Sequence, residues 1–204
     1  MSHAASLQQV PVRAARPPAW WPLLLGPAAV AVVVLASRVY PAFDQLDAQL
    51  DRIAPFLVIC PVAVYAVRVL VTRNPLSMVL WVLSASLFCR ELHFAGTDTG
   101  IYVMVAGVVI WAVAWRNLLA ESLKDRRHTI WLLATLSAYL LSQLIARRVF
   151  RFVPGEQAIH SKLEEGVETM GHLMLFVTSL SGRWTRYRPL RGRGAGEMRP
   201  GASP

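Results

Sequence analysis

Charge is scarce in this sequence. Asp, Glu, Lys and Arg make up 16% of its 204 residues, where a soluble domain of this size carries about 25%. So little charge cannot cover a water-facing surface on all sides, which excludes an ordinary soluble globule. Familiar catalytic signatures are missing too. The chain has no Gly-x-Ser-x-Gly elbow, no Gly-x-x-x-x-Gly-Lys phosphate loop and no Cys-x-x-Cys. Residues 1–19 are polar, with Arg13 and Arg16, and the first apolar run is followed by Arg38 and Tyr40 rather than a small-residue cleavage site. That excludes a cleaved signal peptide and makes the run an uncleaved first helix.

What the chain does have is hydrocarbon-compatible length. Six apolar stretches lie at 20–37, 55–71, 76–90, 101–118, 129–146 and 163–180. A bilayer core of roughly 30 Å needs about 20 helical residues, with about 17 as a working minimum. The expected fold is all-α, an integral membrane bundle of six transmembrane helices. Residues 1–19 form a cytoplasmic arm, 20–182 the membrane domain and 183–204 a basic cytoplasmic tail, disordered in its Gly/Pro-rich end.

The net charge of +9 follows from 21 Lys and Arg against 12 Asp and Glu. The tail from Arg183 onward holds six Arg and one Glu, so it supplies over half of the excess. Basic residues gather on cytoplasmic segments of membrane proteins, and an anionic lipid surface attracts them. Lipid rather than nucleic acid is therefore the expected partner, together with a membrane-protein partner or a second copy of the chain. Arg13 and Arg16, the turn at 72–75 with Arg68 before it, the basic loop around Lys124, Arg126 and Arg127, and the tail alternate with less positive ends. Both termini are thus expected in the cytoplasm. Arg147, Arg148 and Arg151 break the alternation: either the count of six spans is wrong, or they have local acidic partners, for which Glu156, Glu164 and Glu165 are candidates.

Pro41, Pro75 and Pro154 are expected at helix ends, and Pro22, Pro27 and Pro61 as kinks within spans. Six of the tryptophans, Trp20, Trp21, Trp111, Trp115, Trp131 and Trp184, fall near helix termini as interfacial anchors do. Leu46 and Leu50, one helical turn apart, mark a short surface helix over 44–51. Cys60 and Cys89 are expected as buried thiols, with a mutual disulfide as the alternative.

Two segments hold the chemistry. One is Cys89-Arg90-Glu91-Leu92-His93-Phe94 at the end of the third span; the other runs from Glu164 through Glu165 and Glu168 to His172 at the start of the sixth. Glu164, Glu168 and His172 are spaced four apart, on one stripe of a helix. His172 then lies roughly 12 Å deeper than Glu164. Ionisable groups at that depth need partners or a wet cavity. Four readings compete for the cluster. It is a structural ion-pair network, with Arg90, Arg147 or Arg148 as counter-charges. It is a metal site built from Glu91, His93, Glu168 and His172. It is a path for protons or an ion. Or it is a pocket for a lipid head group or small anion. The Glu-x-x-His spacing of di-iron bundles is absent. Haem is excluded, because His3, His93, His128, His160 and His172 offer no pair at matching depth. Ser84, Ser86, Ser137, Ser142 and Gln143 are expected to bond back to their own helices or to glue helices together.

Arg90-Glu91-Leu92-His93-Phe94, followed by Thr97-Asp98, resembles the Arg-Glu-Leu-Asp-Phe-His segment of a group of small bacterial multi-pass membrane proteins. Glu164-Glu165-x-x-Glu168 resembles that group's final helix. His93 stands where the group has Asp. The resemblance implies a bacterial inner-membrane protein and carries no activity with it. Membrane hydrolases of the alkaline-ceramidase and adiponectin-receptor type have seven helices and a His-x-x-x-His pair, which this chain lacks. The functional expectation is a protein that binds or conducts an ion or small solute, or supports a membrane complex, through the polar cluster. The alternative is an intramembrane metal-dependent hydrolase acting on a lipid or periplasmic substrate.

Overall fold

The structure is a computed structural model that describes residues 19–39, 46–92, 97–152, 156–184 and 186. Among these residues it is all-helical. A 3-10 turn at Trp21–Leu24 leads into α1 (Leu25–Val39), followed by α2 (Leu46–Thr72), α3 (Pro75–Glu91), α4 (Thr97–Ala114), α5 (Arg116–Ala120), α6 (Arg126–Ala146) and α7 (Glu156–Leu180). Four of the six apolar stretches fall on a single long helix; 20–37 also takes in the 3-10 turn, and 101–118 is divided between α4 and α5.

Three helical segments are long and apolar enough to cross a membrane: Trp21–Val39, Ala48–Thr72 and Arg126–Ala146. A fourth qualifies if Gly100–Ala114 and Arg116–Lys124 are counted together, although the chain bends there by 85°. The expected straight span over 101–118 is therefore broken at Trp115, whose ring stacks on Trp111 at 5.6 Å. α3 is one turn shorter than a typical span at 17 residues. α7 carries Glu164, Glu165 and Glu168 within its apolar stretch. The surface helix expected over 44–51 is not a separate element: from Leu46 on, it is the first turn of α2. His160, expected in a loop, lies within α7, which begins well before 163.

α7 is the centre of the bundle, packed by α6, α2 and α1, while α3 bridges α2 to a peripheral α4. The exterior is as apolar as the interior, and the interior mixes large apolar side chains such as Val58, Tyr65, Val167 and Met174 with small and hydroxyl-bearing ones. The interior holds Ser84, Ala134, Thr135, Ala138, Ser142, Thr178 and Ser179, all essentially inaccessible. The exterior shows Phe56, Leu70, Val103, Ile110 and Leu140, each more than 60% exposed. Small and hydroxyl-bearing residues let backbones approach where lipid surrounds the helices, and an apolar exterior of this extent needs a lipid or protein cover. Ser84, Ser86 and Ser137 donate to carbonyls of their own helices at 2.7–2.8 Å, as expected. Both cysteines are free and exposed rather than buried.

Pro75 opens α3 at a position where no backbone donor is needed, and Asn74 caps it by accepting from the Leu76 N–H at 2.9 Å. Asp125 caps α6. At the other end of α7, Gly182 takes φ +81° directly against the His128 ring, the left-handed stop that glycine permits.

α1 and α7 touch through Gly166. A Cβ there would lie 2.6 Å from Val33 Cγ2, and Val33 is β-branched and stiff. Gly166→Leu should destabilise the bundle by about 2–3 kcal/mol through overpacking. Thermal unfolding in detergent measures this, and Val33→Ala should recover part of the loss. No recovery would show that the α1–α7 approach is not what Gly166 permits.

Candidate functional site

The last turn of α3 meets the middle of α7, and there the acids and imidazole converge. Glu168 and His172 are one helical turn apart on α7, facing inward: Glu168 is 6% exposed and His172 fully buried. Arg90 reaches across from α3 and grips Glu168 with both guanidinium nitrogens, Nη1 to Oε1 and Nη2 to Oε2, the latter at 3.3 Å. This fork is the geometry that arginine offers a carboxylate. Glu91, the next residue, brings Oε1 to 3.5 Å from His172 Nε2. From α6, the Tyr139 hydroxyl lies 2.7 Å from His172 Nδ1.

One donor atom each from Glu91, Glu168 and His172 lies within 4.8 Å of the others. His172 Nε2 is buried without a hydrogen-bond partner. The chemistry follows from the tautomer. If Nδ1–H donates to Tyr139, Nε2 presents a lone pair beside two carboxylates, and three electron-rich groups face one another. Arg90 already supplies one positive charge, at Glu168. The lone pair is otherwise met in one of two ways: by the other neutral tautomer, with Nε2–H toward Glu91 and Nδ1 accepting from Tyr139, or by a metal ion. Arg90 does not block the second case, because a carboxylate has about four lone-pair sites and Arg90 occupies two of them.

The other expected site residues scatter around this core. Glu164 pairs with His160 at 3.8 Å on the same helix. Glu165 faces the Asp51 carboxyl of α2. Arg147 lies over the Tyr102 ring, 5.9 Å from its centroid, and Arg148 sits in a left-handed turn at φ 53° after α6. The counter-charge for Glu168 is thus Arg90, not Arg147 or Arg148. His93 lies outside the described residues.

Sequence reasoning missed Tyr139, Asp51 and Arg68. Tyr139 sits in an uncharged, mostly apolar run, where nothing in one-dimensional pattern marks an inward hydroxyl. Arg68 was read as a loop charge, yet it is buried. Its Nη1 donates to the Ser179 carbonyl at 2.8 Å and the Ser181 carbonyl at 2.6 Å. It caps the C-terminus of α7, where the helix dipole favours a cation, and its guanidinium lies 5.2 Å from the centroid of the Trp184 ring. Nearby, His128 Nδ1 meets the Ser181 hydroxyl at 3.0 Å, and Thr135 meets Thr178 at 2.9 Å between α6 and α7.

No protein-family signature, curated protein or solved structure matches this chain.

Proposed function

We propose that this chain is a six-span bacterial inner-membrane protein that binds a divalent transition-metal ion through Glu91, Glu168 and His172. The observation that supports this best is the convergence of two carboxylates on a buried imidazole nitrogen that has no hydrogen-bond partner. Ligand atoms around a tetrahedral zinc stand about 3.4 Å apart for bonds near 2.1 Å. The Glu91–His172 separation of 3.5 Å is already of that size. The third ligand needs to move inward by no more than about 1.4 Å, within reach of a carboxylate side chain. Oxygen and imidazole donors suit zinc, iron or manganese.

Tyr139 and Arg90 then act as supports. Tyr139 accepts from Nδ1–H and so directs the Nε2 lone pair at the metal, and Arg90 fixes the Glu168 carboxylate. Partners of this kind are worth 10–100-fold in metal affinity.

The six-span reading counts the three qualifying segments, the bent α4–α5 pair, α3 and α7. α7 is counted because Glu168, its acid at membrane depth, faces the interior, as membrane-depth charges do. An even number of spans puts both ends on one side. Arg68, Lys124, Arg126, Arg127 and Arg183 cluster at one end of the bundle, which supports a cytoplasmic position for that end, with the metal site toward the other.

Three protein ligands leave a coordination position open, and an open position is what a hydrolytic zinc uses. That observation favours the hydrolase alternative enough to include it in the test. The full chain, purified in neutral detergent, should hold close to one equivalent of zinc, iron or manganese by elemental analysis. His172→Ala should abolish it, and Tyr139→Phe should weaken it 10–100-fold in competition with a chelator. A metal-free wild type that cannot be reloaded removes both the metal-binding and the hydrolase readings and leaves the proton on His172. Loaded protein that cleaves lipid ester or amide substrates would favour the hydrolase over simple binding.

A further inference from the structure

The end of the bundle opposite the Glu–Glu–His site contains a basic cavity. Asp51, beside the acidic end of α7, and Arg68, beneath its C-terminus, are 17 residues apart on α2. At 1.5 Å per residue they stand about 25 Å apart. Next to Arg68, the turn from α2 to α3, the segment from α5 to the start of α6, and the chain leaving α7 enclose a cavity of about 780 Å³.

Its charge is lopsided. Arg68, Lys124, Arg126, Arg127, Arg183 and Arg186 line it, against two acids, Glu121 and Asp125. Both acids are already engaged. Glu121 pairs with Lys124. Asp125 accepts from the His128 backbone N–H at 3.4 Å and from the Arg183 N–H at 3.0 Å. Among the described residues, no ion pair links Arg126, Arg127, Arg183 or Arg186 to a carboxylate. A second observation is independent of this surface charge. Arg68 is only 4% exposed, lines the cavity, and keeps a buried Nε without a hydrogen-bond partner. The start of α6 opens on the same space and adds the positive end of a 21-residue helix. Trp115 and Trp184 are exposed close by, as aromatic side chains are at headgroup depth.

We infer that this cavity binds a phosphate group, with the arginines of α6 and of the chain after α7 as its ligands. Arginine forks match phosphate oxygens in pairs, and the cavity has room for a phosphate together with the glycerol that carries it. The shared chemistry is a phosphate mono- or diester, and its source is either an anionic lipid or a water-soluble phosphate compound. The position at the expected cytoplasmic lipid surface, with tryptophans beside it, favours the lipid.

Calorimetric titration of the full chain in neutral detergent tests this. The probes are short-chain phosphatidylglycerol, short-chain phosphatidylcholine and inorganic phosphate. The double variant Arg126→Gln/Arg127→Gln removes two exposed ligands without touching the buried Arg68. Arg38→Gln/Arg52→Gln removes the same charge away from the cavity. Phosphatidylglycerol should bind wild type and the Arg38/Arg52 variant alike, and the Arg126/Arg127 variant at least tenfold more weakly. Phosphatidylcholine should bind at least tenfold more weakly than phosphatidylglycerol. Inorganic phosphate with the same variant dependence would assign the site to a soluble phosphate and still support it. Equal losses in both double variants, or no binding of either phosphate probe to wild type, would overturn the inference.

Discussion

Glu168→Ala should destabilise the bundle by about 3 kcal/mol. Removing one partner of a buried ion pair strands the other charge, and that penalty runs to about 3–5 kcal/mol. Arg90 keeps a side-chain exposure of 25% against 7% for Glu168, so the lower end applies. The control is a volume-matched apolar pair. Arg90→Met/Glu168→Met removes both charges, and a buried pair replaced by packed hydrophobes costs little or nothing. The double variant should therefore regain most of the lost stability, while metal binding stays lost because a ligand is gone. Reversible unfolding in detergent reads the first quantity and elemental analysis the second. If Glu168→Ala is as stable as wild type, Arg90 is not held by Glu168 and the geometry at the α3–α7 junction is wrong.

Arg68→Ala should be at least as damaging, at about 3 kcal/mol or more. Two buried hydrogen bonds from a charged donor contribute roughly 1.5–3 kcal/mol each, and the Trp184 stack adds up to about 1 kcal/mol. The carbonyls of Ser179 and Ser181 have little water to turn to: Ser179 is fully buried and Ser181 7% exposed. Arg68→Lys should recover only part of the loss, because an ammonium can donate to the two carbonyls but cannot lay a planar guanidinium over the Trp184 ring. Hydrogen exchange gives the local signature. Amides in the last turn of α7 should exchange much faster in Arg68→Ala, while those around Val167 keep their protection. Uniform acceleration along α7 would mean that Arg68 supports the whole bundle rather than this end of it.

The helices were legible because bilayer-length apolar runs are the strongest pattern a sequence carries. Their ends were less so. The break at Trp115 has no Pro or Gly to announce it, and the start of α7 lies among charged residues that read as loop. The stripe of Glu168 and His172 followed from helical spacing alone. That Glu91 would meet His172 depended on how α3 packs on α7, and one-dimensional spacing holds no such information. The choice of counter-ion shows the same limit. Arg147 and Arg148 are closer in sequence to Glu164 and Glu168, yet Arg90, 78 residues from Glu168, makes the contact. The cysteines were placed inside by their usual preference. In a bundle surrounded by lipid that preference loses its force, since the outside is as apolar as the inside.

X-ray absorption at the metal edge, recorded on zinc-loaded wild type and on His172→Ala, addresses the central claim most directly. The expected result is a first shell of nitrogen and oxygen near 2.0–2.2 Å with the outer-shell scattering of a single imidazole in wild type, and no retained zinc, hence no such signal, in His172→Ala treated in the same way. A sulfur shell near 2.3 Å, from the exposed Cys60 or Cys89, or an imidazole signal unchanged by the loss of His172, would contradict it.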